Sequence, residues 1–131
     1  MALTYDTPKL VTANNSWSSV VTAANTNRDG TGTLNEIWQA GANGSHLHGI
    51  RFVSHGANAN VTLARLFLFD GTNYKFWREK DLPITTNSLT VAEPEQYLPI
   101  ETRIEADWKV FFVLATAVSA GWSAIGEAED L

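Results

Sequence analysis

The chain contains no cysteine. That absence excludes a disulfide framework, a thiolate zinc site and a cysteine nucleophile, and it leaves the redox compartment open. No apolar run approaches the roughly 18 residues of a membrane helix, so no membrane partner is expected. Met1 to Lys9 has neither the basic nor the apolar stretch of a signal peptide, so none is expected. Positive charge is scarce: 9 Lys and Arg face 14 Asp and Glu, for a net charge of −5 and a pI of about 5.0. Nucleic acid is therefore not an expected partner, because phosphate binding needs a basic patch. Charged residues of both signs are only 18% of the chain, below the usual share of about a quarter. Helical patterning is missing too: no window of about 12 residues repeats its apolar positions at helical spacing.

What remains is a 131-residue chain with 44% hydrophobic residues, enough for one domain with its own core. Val, Ile, Thr, Phe, Tyr and Trp are plentiful, and Asn and Gly interrupt them about every 8 to 12 residues, as in an all-β sandwich or barrel. Five tryptophans with so little charge suggest a surface partly covered by something else.

Two stretches near the start, Leu10-Val11-Thr12 and Ser19-Val20-Val21-Thr22, are candidate short strands. Asp29-Gly30-Thr31-Gly32 reads as a turn. From Thr33 to Ala40 the residues alternate, Leu34, Glu36, Trp38 and Ala40 against Asn35, Ile37 and Gln39. Ser45 to His55 alternates next, with Ile50 and Phe52 on one face and Leu47, Arg51 and Val53 on the other. Val61 to Phe69 is apolar on both faces, the mark of a strand covered twice. Asp70-Gly71-Thr72-Asn73 joins it to Tyr74–Arg78 as a hairpin. Ser88 to Ala92 predicts another short strand. Tyr97-Leu98-Pro99-Ile100 leads toward Trp108–Thr116, a second strand apolar on both faces, and Trp122–Ile125 is the last. Glu127, Glu129 and Asp130 read as an exposed acidic tail. The fold class expected is all-β, a single-domain two-sheet sandwich of jelly-roll type with about seven to nine strands. Residues 1–24 would form an N-terminal arm with the first short strands, and 25–131 the sandwich.

Candidate chemistry is sparse. His46 and His48, at i and i+2 on a strand, share a face and are metal-ligand types. A third ligand would have to be His55 or a carboxylate, and none sits at a motif spacing, so the sequence by itself assigns no metal. No nucleophile elbow precedes a helix, and a Ser–His–Asp triad is not visible in the spacing. Glu93, Glu95, Glu101, Glu105 and Asp107 lie in a Pro-bounded stretch that reads as solvated loop rather than as a glycosidase pair. Gly30-Thr31-Gly32 lacks the strand–helix context of a phosphate cradle, and Asp29 and Asp70 read as turn residues rather than calcium ligands. No cofactor and no enzymatic activity are expected. Among the tryptophans, Trp38 and Trp108 are assigned to the core, while Trp17 in an Asn/Ser-rich stretch and Trp77 between Lys75 and Glu79 are contact candidates.

Several segments resemble a family of small β-rich proteins of tailed phages and prophages. They are Asn27-Arg28-Asp29-Gly30-Thr31-Gly32-Thr33, Ala40-Gly41-Ala42-Asn43-Gly44-Ser45, Arg65-Leu66-Phe67-Leu68-Phe69-Asp70-Gly71-Thr72-Asn73-Tyr74, and the closing Gly121-Trp122 to Gly126. The resemblance covers residues 25 to 131 and rests on turn and core motifs, so it brings no catalytic residue. It implies a virion structural protein, a capsid decoration (cement) protein on the outer surface of the head. Its partners would be the major capsid protein and, as a homotrimer, itself. A tail or fibre component, or a carbohydrate-binding receptor-recognition module, is the alternative. On this reading Ala2–Thr12 is a contact arm anchored by Leu3, Tyr5, Pro8 and Leu10, and Trp17 and Trp77 add to the contact.

Overall fold

The computed structural model describes residues 12–93 and 95–131. These form nine strands: β1 (Thr12–Ala13), β2 (Ser16–Trp17), β3 (Asn35–Gln39), β4 (Ser45–Ser54), β5 (Thr62–Phe69), β6 (Tyr74–Leu82), β7 (Gln96–Ile104), β8 (Lys109–Leu114) and β9 (Trp122–Asp130). There is no helix among the described residues. One sheet runs β1-β9-β4-β7, with β2 following β1 along the same edge of β9, and the other runs β3-β8-β5-β6. Every strand pair is antiparallel. The pairings nest: β1/β2 with β9, β3 with β8, β4 with β7, and β5 with β6. Two sheets built from one long folded-over hairpin are a jelly roll. The expected all-β two-sheet sandwich is what the chain forms.

The core lies between the sheets. Leu47, Ile50, Phe52, Trp122, Ala124 and Ala128 from the first sheet meet Trp38, Ala64, Leu66, Val110, Phe112 and Leu114 from the second. Trp38 packs where β9 has no side chain, since a Cβ on Gly126 would come within 2.9 Å of Trp38 Cβ. Trp108 only flanks this core, half-buried against it.

Strict alternation fails in three strands, each time at a bulge, where an extra residue resets which face the next side chain takes. In β3 the register against β8 slips between Glu36 and Trp38, so Ile37 and Trp38 are both buried instead of facing opposite ways. In β4 it slips between Leu47 and Gly49, which puts Leu47 on the core face with Ile50 and Phe52. In β6 the extra residue is Trp77, which turns onto the core and away from the face of Glu79.

The two outer faces differ. Arg51, Tyr97, Glu127 and Glu129 share the outer face of the first sheet, and Arg51 pairs with Glu127 at 3.0 Å and with Glu95 at 2.6 Å. The outer face of the second sheet carries Phe67, Phe69, Tyr74, Phe76 and Phe111 in ring-to-ring contact. The chain covers much of this second face itself. Asn25 N donates to Leu114 O at 2.8 Å, Arg65 Nη1 donates to Thr26 O at 3.0 Å, and Arg28 pairs with Glu79 at 2.8 Å. Gly30, at φ +83°, lies so close to Tyr74 that a Cβ there would meet Tyr74 Cβ at 2.6 Å. Glycine alone fits that conformation and that gap. The doubly apolar β5 and β8 thus have the opposite sheet on one side and a strap of their own chain on the other.

Several expectations change. Ser19–Thr22 is no strand; Val21 makes one isolated bridge, to Trp122. Ser88–Ala92 lies in the β6–β7 loop, where Pro83 ends β6 and Ser88 Oγ caps a turn by accepting from Thr90 N and Val91 N. Tyr97–Ile100 belongs to a nine-residue strand in spite of Pro99, because β7 is an edge strand and proline's missing donor faces outward there. The acidic tail is no tail: Glu127, Glu129 and Asp130 complete β9, between β4 and β1. The short strands β1 and β2 attach residues 12–17 to the sandwich.

At one end, the buried Asn58 ties three loops together. Its Oδ1 accepts from Ala120 N at 2.9 Å and Gly121 N at 2.8 Å. Its Nδ2 donates to Gly121 O at 3.2 Å and Ser54 Oγ at 3.1 Å, and its backbone N donates to Thr85 Oγ1 at 3.0 Å. Phe67, wholly buried on the strapped face against the edge of Phe76, tests whether that face is a true second core. Phe67→Ala should destabilise the protein by about 3–5 kcal/mol, read as the shift in urea midpoint. A loss below about 1 kcal/mol would mean that the strap does not seal the face.

Candidate functional site

The densest group of chemistry-bearing side chains sits on the outer face of the first sheet. His46 and His48 come from β4, Glu101 from β7 and Glu129 from β9. One residue of β4 between Leu47 and Gly49 is extra against β9, and β7 runs from Thr102 to Pro99 over the same two-residue step of β4. Both irregularities fall at the site. His48 and Gly49 consequently both point outward, and Gly49 leaves room for the Tyr97 ring, which a Cβ there would strike. Glu101 takes φ +49°, a left-handed conformation that non-glycine residues seldom adopt. Bulges and strained residues of this kind re-aim side chains, and here they turn Glu101 toward both histidines.

Glu101 Oε2 lies 2.8 Å from His46 Nε2 and 3.2 Å from His48 Nδ1. The other nitrogen of His48, Nε2, is 3.5 Å from Glu129 Oε1. The two rings meet edge to face with centroids 4.7 Å apart. The ligand-type atoms of His46, His48 and Glu101 all lie within 4.8 Å of one another. Hydrogen bonds from His46 and then His48 hold the Glu101 carboxyl below its ordinary value. The hydrogen bond to Glu101 raises the His48 imidazole, with Glu129 adding to it against partial desolvation.

The other candidates are dispersed. Trp17 is 74% exposed and borders a groove of about 590 Å³ shared with Asn14, Glu36, Gln39 and Asp107. Trp77 is half-buried on the core, its ring under Arg78 at 5.6 Å. Leu3, Tyr5, Pro8 and Leu10 lie outside the described residues. His55 Nε2 is 2.8 Å from Ser123 Oγ, but Ser123 is buried and no carboxylate contacts His55 among the described residues. Glu93 caps Thr86, and Glu95 pairs with Arg51, so the carboxylates of that stretch do not converge. Asp29 and Asp70 cap their own turns, accepting from Thr31 N and from Thr72 N and Asn73 N.

Sequence reasoning found both histidines and missed their partners. Glu101 lies in a Pro-bounded stretch that reads as solvated loop, and Glu129 in one that reads as an acidic tail. The signal for Glu101 was present: Ile100, Thr102 and Ile104 alternate with Glu101 and Arg103 as a strand does. Comparison with known protein families, curated proteins and solved structures finds no match.

The coupled groups set a pH signature. The raised His48 contributes stability that is complete below the ordinary imidazole value of about 6.5 and is lost as pH rises through its folded value. The depressed Glu101 contributes above the ordinary carboxyl value of about 4.3 and loses its contribution as pH falls through its folded value. Their joint effect is therefore greatest in the weakly acidic window between those values. NMR titration of the imidazole protons should place His48 above the ordinary value and return it toward that value in Glu101→Gln. A wild-type His48 titrating at or below the ordinary value would contradict the geometry.

Proposed function

We propose that the chain is a structural protein of a tailed-phage particle, a jelly-roll decoration protein that binds the outer surface of the head between major capsid subunits. The observation that carries this reading is the β6–β7 loop. Leu89 is 100% exposed, Val91 69% and Ile84 56%. Beside the loop, Val61, Leu63, Pro83 and Ala115 line an apolar groove of about 890 Å³. The loop is braced: Thr85 Oγ1 donates to Gly56 O at 2.7 Å, and Glu93 Oε1 accepts from Thr86 N at 2.6 Å. Apolar side chains held in solvent by a braced loop, next to an apolar groove, are what a protein–protein contact needs.

The rest agrees with that reading. Viral capsid proteins and lectins share the jelly-roll architecture, and the sequence resembles small β-rich phage proteins. Cementing works through buried area and requires no chemistry. A net charge of −5 suits an outer surface, away from packaged DNA. Closed three-fold self-association would match the symmetry of a capsid lattice.

Trp17 favours a second reading, a tail or fibre module that binds carbohydrate. An exposed indole beside amides and carboxylates can stack on a sugar ring while those groups bond its hydroxyls.

Cosedimentation with undecorated heads of the phage whose genome encodes the chain separates the two. Wild-type protein should saturate the heads. Leu89→Ser with Val91→Ser should weaken binding at least about tenfold, the equivalent of 1.4 kcal/mol, with thermal stability unchanged. Deleting Ala2–Thr12 should abolish binding if the arm is an anchor. Absence of wild-type binding would overturn the decoration reading, and glycan-dependent fluorescence lost in Trp17→Ala would replace it with the second.

A further inference from the structure

We propose that His46, His48 and Glu101 bind one divalent transition-metal ion of the zinc class, with Glu129 as the carboxylate that orients His48. The inference does not depend on the virion reading. It starts from the donor set. Two imidazoles and one carboxylate suit zinc, copper, nickel or cobalt, whereas calcium and magnesium require all-oxygen shells.

Geometry narrows the assignment. Zinc bonds of about 2.0–2.1 Å in a tetrahedron separate neighbouring ligand atoms by about 3.3 Å. Glu101 Oε2 stands 2.8 Å from His46 Nε2 and 3.2 Å from His48 Nδ1. All three atoms fall within 4.8 Å, so side-chain rotation alone can open the triangle around an ion. The atoms that face one another are those that carry ligand lone pairs.

Glu129 supplies an independent observation. A histidine that ligates through Nδ1 must carry its proton on Nε2, and His48 Nε2 faces Glu129 Oε1 at 3.5 Å. A carboxylate behind the distal ring nitrogen fixes the tautomer and raises ligand basicity, a recurrent partner of metal-bound histidine. Without an ion, the nitrogens of two imidazoles converge on the same carboxylate oxygen. An ion between them would replace those shared protons.

The backbone points the same way. Glu101 sits at φ +49°, and its strand slips register against β4 where His48 does so against β9. Whatever core packing demands of Leu47 and Ile50, the paired irregularities on these neighbouring strands bring the three side chains to one place on the outer face. Three protein ligands leave a fourth position toward solvent, for water or a donor from a bound partner. The ion would link β4 to β7 directly, and β9 through Glu129.

The test uses the untagged full chain, stripped with EDTA and titrated with Zn²⁺ by calorimetry and with Co²⁺ by visible absorption. One ion should bind per chain, and Co²⁺ should give the intense bands of a tetrahedral site. His46→Ala, His48→Ala and Glu101→Gln should each weaken binding more than about tenfold, and Glu129→Gln by about 10–100-fold, while His55→Ala binds as wild type. These side chains are at least one-third exposed, so the metal-free variants should melt close to metal-free wild type. Zinc should raise the melting temperature of wild type and His55→Ala alike, and raise that of the His46, His48, Glu101 and Glu129 variants less at the same concentration. No binding at millimolar Zn²⁺, or equal binding by His46→Ala/His48→Ala, would overturn the proposal. Tighter binding of Ca²⁺ than Zn²⁺ would overturn the metal class.

Discussion

Leu47 and Ile50 are three residues apart on one strand, and both must face the core. A regular strand cannot do this, because alternate residues point to opposite faces. The chain resolves the conflict by turning both His48 and Gly49 outward, after which Ile50 and Phe52 return to the core. Much else follows from that one extra residue. Gly49 has no side chain, so Tyr97 can cross above it and lie against Arg51, 5.1 Å from the guanidinium. His46 and His48 stay on the solvent side together, and the adjoining slip in β7 brings Glu101 to them. A packing requirement inside the sandwich thus fixes the arrangement of charge outside it.

The two sheets solve the problem of their outer faces differently. The first exposes ion pairs and histidines and needs no cover. The second carries aromatic rings, and the chain lays its own residues across them, held by Arg65, Arg28 and the close approach of Gly30. With both faces provided for, the exposed apolar side chains concentrate where the fold does not use them, above all in the β6–β7 loop. Asn58 fixes the base of that loop by bonding Thr85 and the Ala120–Gly121 turn. The exposed apolar surface of that loop is therefore held in place by specific hydrogen bonds.

The all-β class was legible because β-branched and aromatic runs recur between Asn/Gly turns, and the Val61–Phe69 hairpin was legible from Asp70-Gly71. What stayed hidden was mostly what a bulge or a distant pairing decides. Trp77 reads as exposed by alternation, and one extra residue in β6 turns it to the core. Ser88–Ala92 has the composition of a strand but finds no partner strand. The Pro-bounded stretch holding Glu101 reads as loop until β7 is known to be an edge strand that tolerates Pro99. Glu127, Glu129 and Asp130 read as tail because local charge says nothing about pairing with β4, 76 to 85 residues earlier. The histidine pair was visible for the opposite reason, since i and i+2 on a strand is a local relation. Its carboxylates come from other strands, and only the fold assembles them.

The bulge in β4 holds Leu47 and Ile50 on the core side and leaves His46 and His48 beside Glu101 outside the sheet. An anomalous difference map at the zinc edge, from crystals grown with Zn²⁺, examines both at once. The expected result is one peak per chain about 2.0–2.2 Å from His46 Nε2, His48 Nδ1 and Glu101 Oε2, with Leu47 and Ile50 both on the core side. A map with no peak there, or a β4 without the bulge and with Ile50 turned to solvent, would contradict it.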